Sequence, residues 1–178
     1  MKTHKTSLVG KSLDDFLDIC DIHNVDSYRA EQIFNWIYKN KINDFESFKN
    51  IPKSFLNLLK EQHTIHPLIF VRSTKSDSRL TNKFLFKTQS GALIESVLMN
   101  EGSRTTLCLS TQVGCALDCK FCATAKMGFI DNLDSGEIVD QFLLISKMLS
   151  KPITNVVFMG MGEPFLNYSN VIKSAELL

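Results

Sequence analysis

Three cysteines crowd one short loop in the middle of the chain. Cys115, Cys119 and Cys122 follow the spacing C-x3-C-x2-C, so three soft thiol ligands are close enough to serve one metal centre. A structural zinc ion needs four protein ligands, and no fourth accompanies this loop. An iron–sulfur cube held by three thiolates leaves one iron open to an outside molecule. We therefore expect a reactive iron–sulfur centre here, with a structural zinc site and buried structural thiols as the alternatives.

A single carboxylate interrupts an apolar strand face upstream of this loop. Glu95 lies on a strand predicted over residues 92–99, on the same face as Leu93, Val97 and Met99. A carboxylate on an apolar face is costly unless it is paired, and such desolvation is typical of a general base. The alternative is a glutamate that turns to solvent or pairs with a cation.

Two further candidate groups lie on the strands predicted next. Cys108 shares a face of the strand 105–111 with Ser110, where it is either a buried filler thiol or a reactive one. The strand 155–159 ends in a glycine-rich turn, whose Glu163 is able to accept hydrogen bonds from a bound ammonium group. Glycine at such a turn lets the backbone approach a ligand closely.

The rest of the sequence predicts the elements that position these groups. Residues 1–66 predict a helical module, whose first helix is capped by Ser12. Residues 67–100 predict a basic loop and a β-hairpin. Residues 101–178 predict a strand, a helix capped by Ser135 and a parallel strand. The predicted fold class is therefore α/β, with a helical accessory module followed by the first part of a partial (βα) barrel. Two strand–helix units cannot close a barrel, so we expect an incomplete core.

Charge is distributed unevenly, although the net charge is only +1. Residues 1–90 carry 14 basic and 10 acidic side chains, and residues 91–178 carry 6 and 9, giving +4 and −3. A basic first half is typical of a module that docks RNA. Five basic residues are candidate phosphate contacts: Arg72, Lys75, Arg79, Lys83 and Lys87.

The sequence also predicts a cellular location. No apolar run approaches the roughly 18 residues of a membrane span, and the N-terminus lacks a secretory signal. We expect a cytoplasmic protein in which cysteines are ligands or catalysts, not structural disulfides. Cys20 falls on the apolar stripe of the first helix, which predicts an inert core thiol. His63 and His66 are predicted to lie on a surface linker.

The residues around the thiol loop resemble a known family. The pattern C-x3-C-x-Phe-C resembles the radical S-adenosylmethionine (SAM) signature. Longer segments resemble the RlmN family, bacterial RNA adenine-C2 methyltransferases that modify 23S rRNA and tRNA: Thr106–Cys115, Phe121–Thr124 and Met159–Pro164. The segment Tyr28–Ile33, followed by Trp36 and Ile37, resembles the helical accessory domain that takes part in RNA recognition in that family.

This resemblance implies a role for each candidate group. The three loop cysteines would hold a [4Fe-4S] cluster whose open iron is chelated by SAM. Gly162 and Glu163 would hold the amino group of SAM. Glu95 would accept the proton from adenine C2, and Cys108 would resolve a protein–RNA crosslink through a transient disulfide bond. In the family, the methyl-carrying cysteine lies further downstream, outside this chain. One departure is Asp131, where the family usually has a basic residue.

The resemblance also implies partners. These are 23S rRNA and tRNA as substrates and an external, flavodoxin-like one-electron reductant, with no membrane and a monomeric enzyme. Three alternatives remain: a related enzyme that methylates C8 of the same adenine, a non-catalytic RNA-binding fragment stabilised by a metal, and a radical SAM enzyme that acts on a small molecule.

Overall fold

The computed structural model describes residues 5–78 and 80–178, and its architecture is α/β as predicted. The helices are α1 (Leu13–Ile22), α2 (Tyr28–Tyr38), α3 (Lys53–Gln62), α4 (Ser135–Lys147) and α5 (Tyr168–Leu177). The strands are β1 (Thr6–Ser7), β2 (His63–Thr64), β3 (Ile69–Lys75), β4 (Thr81–Lys87), β5 (Leu93–Glu101), β6 (Arg104–Cys108), β7 (Gln112–Gly114), β8 (Phe129–Asn132) and β9 (Asn155–Val157). Within the described ranges, none of these helices has the length and apolar character that crossing a membrane requires.

Helices α1 to α3 pack around a core of their own. The Ser12 hydroxyl accepts a hydrogen bond from Asp15 N at 3.1 Å, and Ser12 N donates to the Asp15 carboxylate at 2.7 Å. This reciprocal capping box confirms the predicted start of α1. Cys20 is buried in the same core, as predicted, and burial raises the pKa of its thiol. β1 pairs in parallel with β2, which ties the segment before α1 to the chain after α3.

A five-stranded sheet forms the second part of the molecule, with the strand order β3-β4-β5-β6-β9. The pairs are antiparallel except β6 and β9, which are parallel and joined through α4 as predicted. The basic loop predicted ahead of β4 is instead mostly strand β3. Every residue of β3 is exposed, so this edge strand lacks the apolar alternation that signals a strand, and its pairing with β4 sets its conformation.

Helix α4 lies between the two parts and contributes to both cores. Its cap is Asp134 and not the predicted Ser135. Asp134 Oδ1 accepts from Glu137 N at 2.7 Å, and Glu137 Oε2 accepts from Asp134 N at 3.1 Å. Asp134 caps the helix because, of the two residues, only Asp134 has a glutamate three residues later. The apolar side chains of α4 divide between the helical core, with Val139 and Leu143, and the sheet core, with Ile138 and Ile145.

A buried ion pair fastens the helical module to α4. The Nδ1 atom of His66 contacts the carboxylate of Asp140, which is fully buried, and Nε2 lies 3.0 Å from Ile42 O. Leu68 N donates to the other Asp140 oxygen at 3.0 Å. The prediction that His66 lies on a surface linker is therefore wrong. Its side chain is 12% exposed, and its partner lies 74 residues away in sequence.

Candidate active site

The sheet has one covered face and one open face, and the register decides which residues share each. α4 packs on the face that carries Phe84, Ile94 and Leu107, all of them buried. Val97 pairs with Cys108 across β5 and β6. Glu95 lies two residues before Val97, so Glu95 and Cys108 are on the same face, the one opposite α4. The structure thus brings together two groups that the sequence suggested separately.

Glu95 is paired on this open face. Its Oε1 atom lies 2.9 Å from Lys83 Nζ, and the two side chains are 40% and 51% exposed. The prediction that Glu95 is desolvated is therefore wrong for the described residues. The alternative, in which Glu95 pairs with a cation, is the one observed. An exposed ion pair contributes only about 0–1 kcal/mol. Lys83 therefore holds Glu95 in place and still leaves it free to exchange this partner for another group.

Cys108 is more deeply placed. It is 8% exposed, and burial raises the pKa of its thiol, while a hydrogen bond from the backbone of Met159 opposes part of that rise. Its neighbours across the strands are Val97 on β5 and Val157 on β9. The thiol is therefore protonated at neutral pH, and a nucleophilic role requires a base or an electrophile brought against it. All five cysteines are free thiols.

The three-thiol loop is closed at its base by a backbone contact. Gly114 has φ +75°, and a Cβ atom there would lie 1.8 Å from Gly128 O, so only glycine fits. Cys115 N donates to Gly128 O at 3.0 Å, and inside the loop Cys122 N donates to Cys119 O at 2.9 Å. β7 and β8 pair antiparallel on either side. The three thiols, all partly exposed, are thus presented on one tightly anchored loop.

The donor set of this loop fits an iron–sulfur cube better than a single ion. Hydrogen bonds from the backbone of Ala125 and then Thr124 lower the pKa of the Cys122 thiol, which favours a thiolate ligand. Among the residues that the structure describes, no three His, Cys, Asp or Glu side chains converge on one metal-ion position. Three thiolates with no fourth protein ligand beside them in the sequence match the donor set of an iron–sulfur cluster that keeps one iron open.

The glycine turn after β9 packs directly on the segment that leads into this loop. A Cβ atom on Gly162, which has φ +97°, would lie 2.5 Å from Gln112 Cβ. Glu163 N donates to Gln112 Oε1 at 2.9 Å. The Glu163 carboxylate accepts from Phe165 N at 3.1 Å through Oε1 only, so within the described residues Oε2 stays available to a ligand. The closely packed glycine turn and the carboxylate of Glu163 suit the ammonium group expected there.

Large apolar side chains are exposed on the segments that follow β6 and β9. Phe121 is 94% exposed, Met159 79% and Phe165 78%. β6 and β9 are parallel, so their C-terminal ends meet at the same edge of the sheet. Exposed aromatic groups on these segments offer flat faces to a planar ligand such as a base.

The structure also locates the predicted RNA contacts. Arg72, Lys83 and Lys87 lie on the open face with Glu95, since Arg72 and Glu95 both pair with Leu85 of β4 and Lys87 pairs with Leu93 of β5. The side chain of Lys75 faces the other way, and Arg79 lies outside the described residues. Asp131 lines a cavity of about 340 Å³, together with Lys5, Gln89 and Glu137.

Sequence reasoning missed a buried polar cluster beneath the open face. Its three members are fully buried: Ser96, Ser110 and Gln141. The side chain of Gln141 forms hydrogen bonds with the Ser96 hydroxyl and with the backbone of Ser110. The one available signal was the polar pair Asp140 and Gln141 inside an otherwise apolar stretch of α4. The partners of Gln141 lie 31 and 45 residues away, so no local window identifies them.

The sequence and the structure are similar to those of known proteins. A family described as "Ribosomal RNA large subunit methyltransferase N-terminal domain" matches residues 6–65. A protein of Thermotoga neapolitana named "Probable dual-specificity RNA methyltransferase RlmN" is 44% identical over 97% of this chain and 50% of its own length. A protein of the same name from Aquifex aeolicus is 44% identical over 86% of this chain and 44% of its own length. The crystal structure of a radical SAM methyltransferase from Sphaerobacter thermophilus aligns with a TM-score of 0.91 and 38% sequence identity. The alignment covers 97% of this chain and 52% of that one. The chain thus spans about half the length of these relatives.

Proposed function

Since this chain belongs to the RlmN family and corresponds to the N-terminal portion of its members, we propose that it is part of a radical SAM enzyme that methylates C2 of adenine in 23S rRNA and tRNA. The observation that carries this proposal is the placement of Glu95 and Cys108 on one open sheet face. The glycine turn follows β9 and packs on residues 109–112, the segment that leads from β6 into the three-thiol loop.

The residues of this chain divide the binding work. Cys115, Cys119 and Cys122 would hold a [4Fe-4S] cluster, and the turn with Gly162 and Glu163 would hold the amino group of SAM. When bound, cluster and SAM supply the one-electron radical chemistry that an unreactive aromatic carbon requires. Oε2 of Glu163 is the acceptor for the ammonium group, because Oε1 already caps the turn that follows. The Gly114 anchor holds the thiol loop against β8.

Glu95 is proposed as the proton acceptor. Joining a carbon to adenine C2 requires the loss of the ring proton, and a carboxylate on the open face is placed to take it on Oε1 or Oε2. Its ion pair with Lys83 orients the Glu95 side chain until RNA arrives. Arg72 and Lys87 on the same face would meet RNA phosphates and bring the target adenine to Glu95.

Cys108 is proposed to free the methylated RNA from a covalent adduct. The partner would be the methyl-carrying cysteine, which lies outside this chain. Its sulfur–carbon bond to RNA breaks as a sulfur–sulfur bond to Cys108 forms, and the carbon keeps the electron pair and takes up a proton. The buried, protonated thiol is protected from premature oxidation, since only the thiolate attacks readily.

The proposed organisation follows from these roles. Residues 1–66 form the RNA-docking module, residues 67–100 the basic extension, and residues 101–178 the first part of the radical SAM core. The substrates are 23S rRNA and tRNA, and a flavodoxin-like protein supplies electrons to a monomeric, cytoplasmic enzyme. The net +4 of residues 1–90 supports the RNA assignment, because each basic contact to phosphate adds affinity.

The test is anaerobic methylation of a 23S rRNA fragment and of tRNA by the intact protein, followed by mass spectrometry of the nucleosides. The proposal predicts 2-methyladenosine, its loss in Glu95→Gln and its retention in the matched variant Glu101→Gln on the same strand. Formation of 8-methyladenosine would favour the C8 alternative. Bound zinc without iron or methylation would favour the non-catalytic alternative.

A further inference from the structure

A buried hydroxyl joins the strand of the proposed proton acceptor to the turn proposed to bind SAM. The Ser110 hydroxyl donates a hydrogen bond to Glu95 O and accepts one from Met161 N at 2.8 Å. Met161 directly precedes Gly162 and Glu163. One oxygen atom of a fully buried side chain therefore links the backbone of β5 with the glycine turn.

Ser110 is itself held by the side chain of Gln141. Gln141 Oε1 accepts from Ser110 N at 2.9 Å, and Nε2 donates to Ser110 O at 2.9 Å. Strand β6 ends at Cys108, so at Ser110 this side chain takes the place of a neighbouring strand. Oε1 also accepts from the Ser96 hydroxyl at 2.7 Å, and Nε2 also donates to Glu137 O at 3.2 Å. Both donors and both acceptor positions of the amide are thus in use.

The same junction continues into the thiol loop. Met161 O accepts from Thr111 N at 2.8 Å and from Gln112 N at 3.1 Å. Gln112 is the first residue of β7, whose last residue, Gly114, directly precedes Cys115. A displacement at Ser110 would therefore be felt by the proton acceptor, the turn and the loop at once.

We propose that Ser110, held by Gln141, is a positioning residue that fixes Glu95 relative to the turn carrying Gly162 and Glu163. This inference rests on the proposed function. Reacting groups must be held to within a fraction of an ångström, and a fully satisfied polar network in an apolar core is rigid. Removal of the hydroxyl leaves Met161 N without its partner and takes one hydrogen bond from Glu95 O, at a fully buried position.

Ser96 supplies the matched control. It is equally buried and bonds to the same Gln141 oxygen, but its hydroxyl touches neither the turn nor Glu95. A network that only stabilises the fold would respond alike to Ser96→Ala and Ser110→Ala. A positioning role makes the two variants differ at the turn.

The first readout needs no cofactor. Amide hydrogen exchange of Met161 in the intact protein should be about tenfold faster in Ser110→Ala than in wild type, the factor that one lost hydrogen bond of typical strength allows. In Ser96→Ala it should stay within about threefold of wild type. Equal rates in the two variants would overturn the inference. If Ser110→Ala does not fold, Gln141→Met, which keeps the volume and loses the bonds, should speed Met161 exchange more than Ser96→Ala does.

The second readout separates this inference from the proposed function. In the loaded enzyme, Ser110→Ala should raise the KM for SAM and lower kcat, each by about tenfold, while Ser96→Ala leaves both near wild type. An active wild type with an unaffected Ser110→Ala would overturn the positioning role alone. A wild type that neither binds iron nor cleaves SAM would overturn the proposed function, and the exchange result would still decide whether Ser110 controls the turn.

Discussion

Replacing His66 by alanine should destabilise the protein strongly, because it strands a carboxylate inside the molecule. Asp140 is fully buried, and His66 supplies its charged partner. After the substitution only the hydrogen bond from Leu68 N, at 3.0 Å, would remain on the Asp140 carboxylate. The contact between the imidazole and Ile42 O in the helical module would be lost as well.

The expected magnitude follows from burial. Breaking a buried ion pair by removing one partner costs about 3–5 kcal/mol. Asp140 keeps one hydrogen bond and can take up a proton, since burial already raises its pKa, so we expect the lower end, about 3 kcal/mol. Lys60→Ala is the control. Its partner Glu46 is exposed, so loss of this pair should leave the free energy of unfolding nearly unchanged.

The stabilisation by His66 should also depend on pH in a definite direction. Burial opposes the charge of the imidazole, but the hydrogen bond and charge of Asp140 and the carbonyl of Ile42 outweigh it, so the pKa of His66 is raised. A raised pKa stabilises the fold fully below the unfolded value of about 6.5 and no longer does so once the pH exceeds the folded value. The stability of the wild type should therefore fall as the pH rises above about 6.5.

Urea unfolding measures both quantities. The fluorescence of Trp36, whose indole donates to Lys49 O at 2.9 Å in the helical module, reports one side of the junction, and far-ultraviolet circular dichroism reports the whole chain. A loss below about 1 kcal/mol, as for an exposed pair, would refute the reasoning. A wild-type stability that is the same at every pH from about 6.5 to 8.5 would refute the protonated state.

Three further predictions concern other sites. Gly162→Ala should cost about 2–3 kcal/mol in thermal unfolding, because its Cβ would lie 2.5 Å from Gln112 Cβ, whereas Gly102→Ala, with open space around it, should cost about 1 kcal/mol; equal costs would contradict the close packing. Burial and neighbouring carboxylates raise the pKa of Glu137 to about 7, so ionisation destabilises the fold as pH rises from about 4.5 to 7, and Glu137→Gln should gain about 1–2 kcal/mol on wild type over that range; no gain in a pH series of urea unfolding would contradict it. Cys108→Ala in the intact enzyme should accumulate covalent protein–RNA adducts on denaturing gels, and clean turnover would reject its role.

Local patterns were sufficient for much of the fold. The cap at Ser12, the apolar stripes of the first helices and the parallel strand pair around α4 were all predictable, because they depend on residues close in sequence or on simple periodicity. The start of α4 was shifted by one residue because Asp134 and Ser135 are both able to cap, but only Asp134 has a glutamate three residues later to complete a capping box.

Edge position explains what the patterns missed in the sheet. β3 is exposed along its whole length, so it shows no alternation of apolar and polar residues. Which face of β5 is open is likewise set by the docking of α4 on the other side, and this determined that Glu95 is paired with Lys83 and not desolvated.

The remaining features could not be predicted because they depend on polar contacts between residues far apart in sequence. His66 meets Asp140 across 74 residues, and Ser110 meets Gln141 across 31 and Met161 across 51. Such partners are chosen by the packed fold, and no spacing rule in the sequence identifies them. The cysteine spacing and the resemblance identified the thiol loop, whereas the junction beneath it required the structure.

Anaerobic reconstitution with iron and sulfide tests the central claim most directly. We expect about four iron atoms per chain and a cubane absorbance in the wild type. The cluster should be lost in Cys115→Ala, Cys119→Ala and Cys122→Ala, and it should be unchanged in Cys20→Ala, whose thiol lies in the helical core. A protein that takes up no iron, or that binds one zinc ion through a fourth side chain, would contradict it.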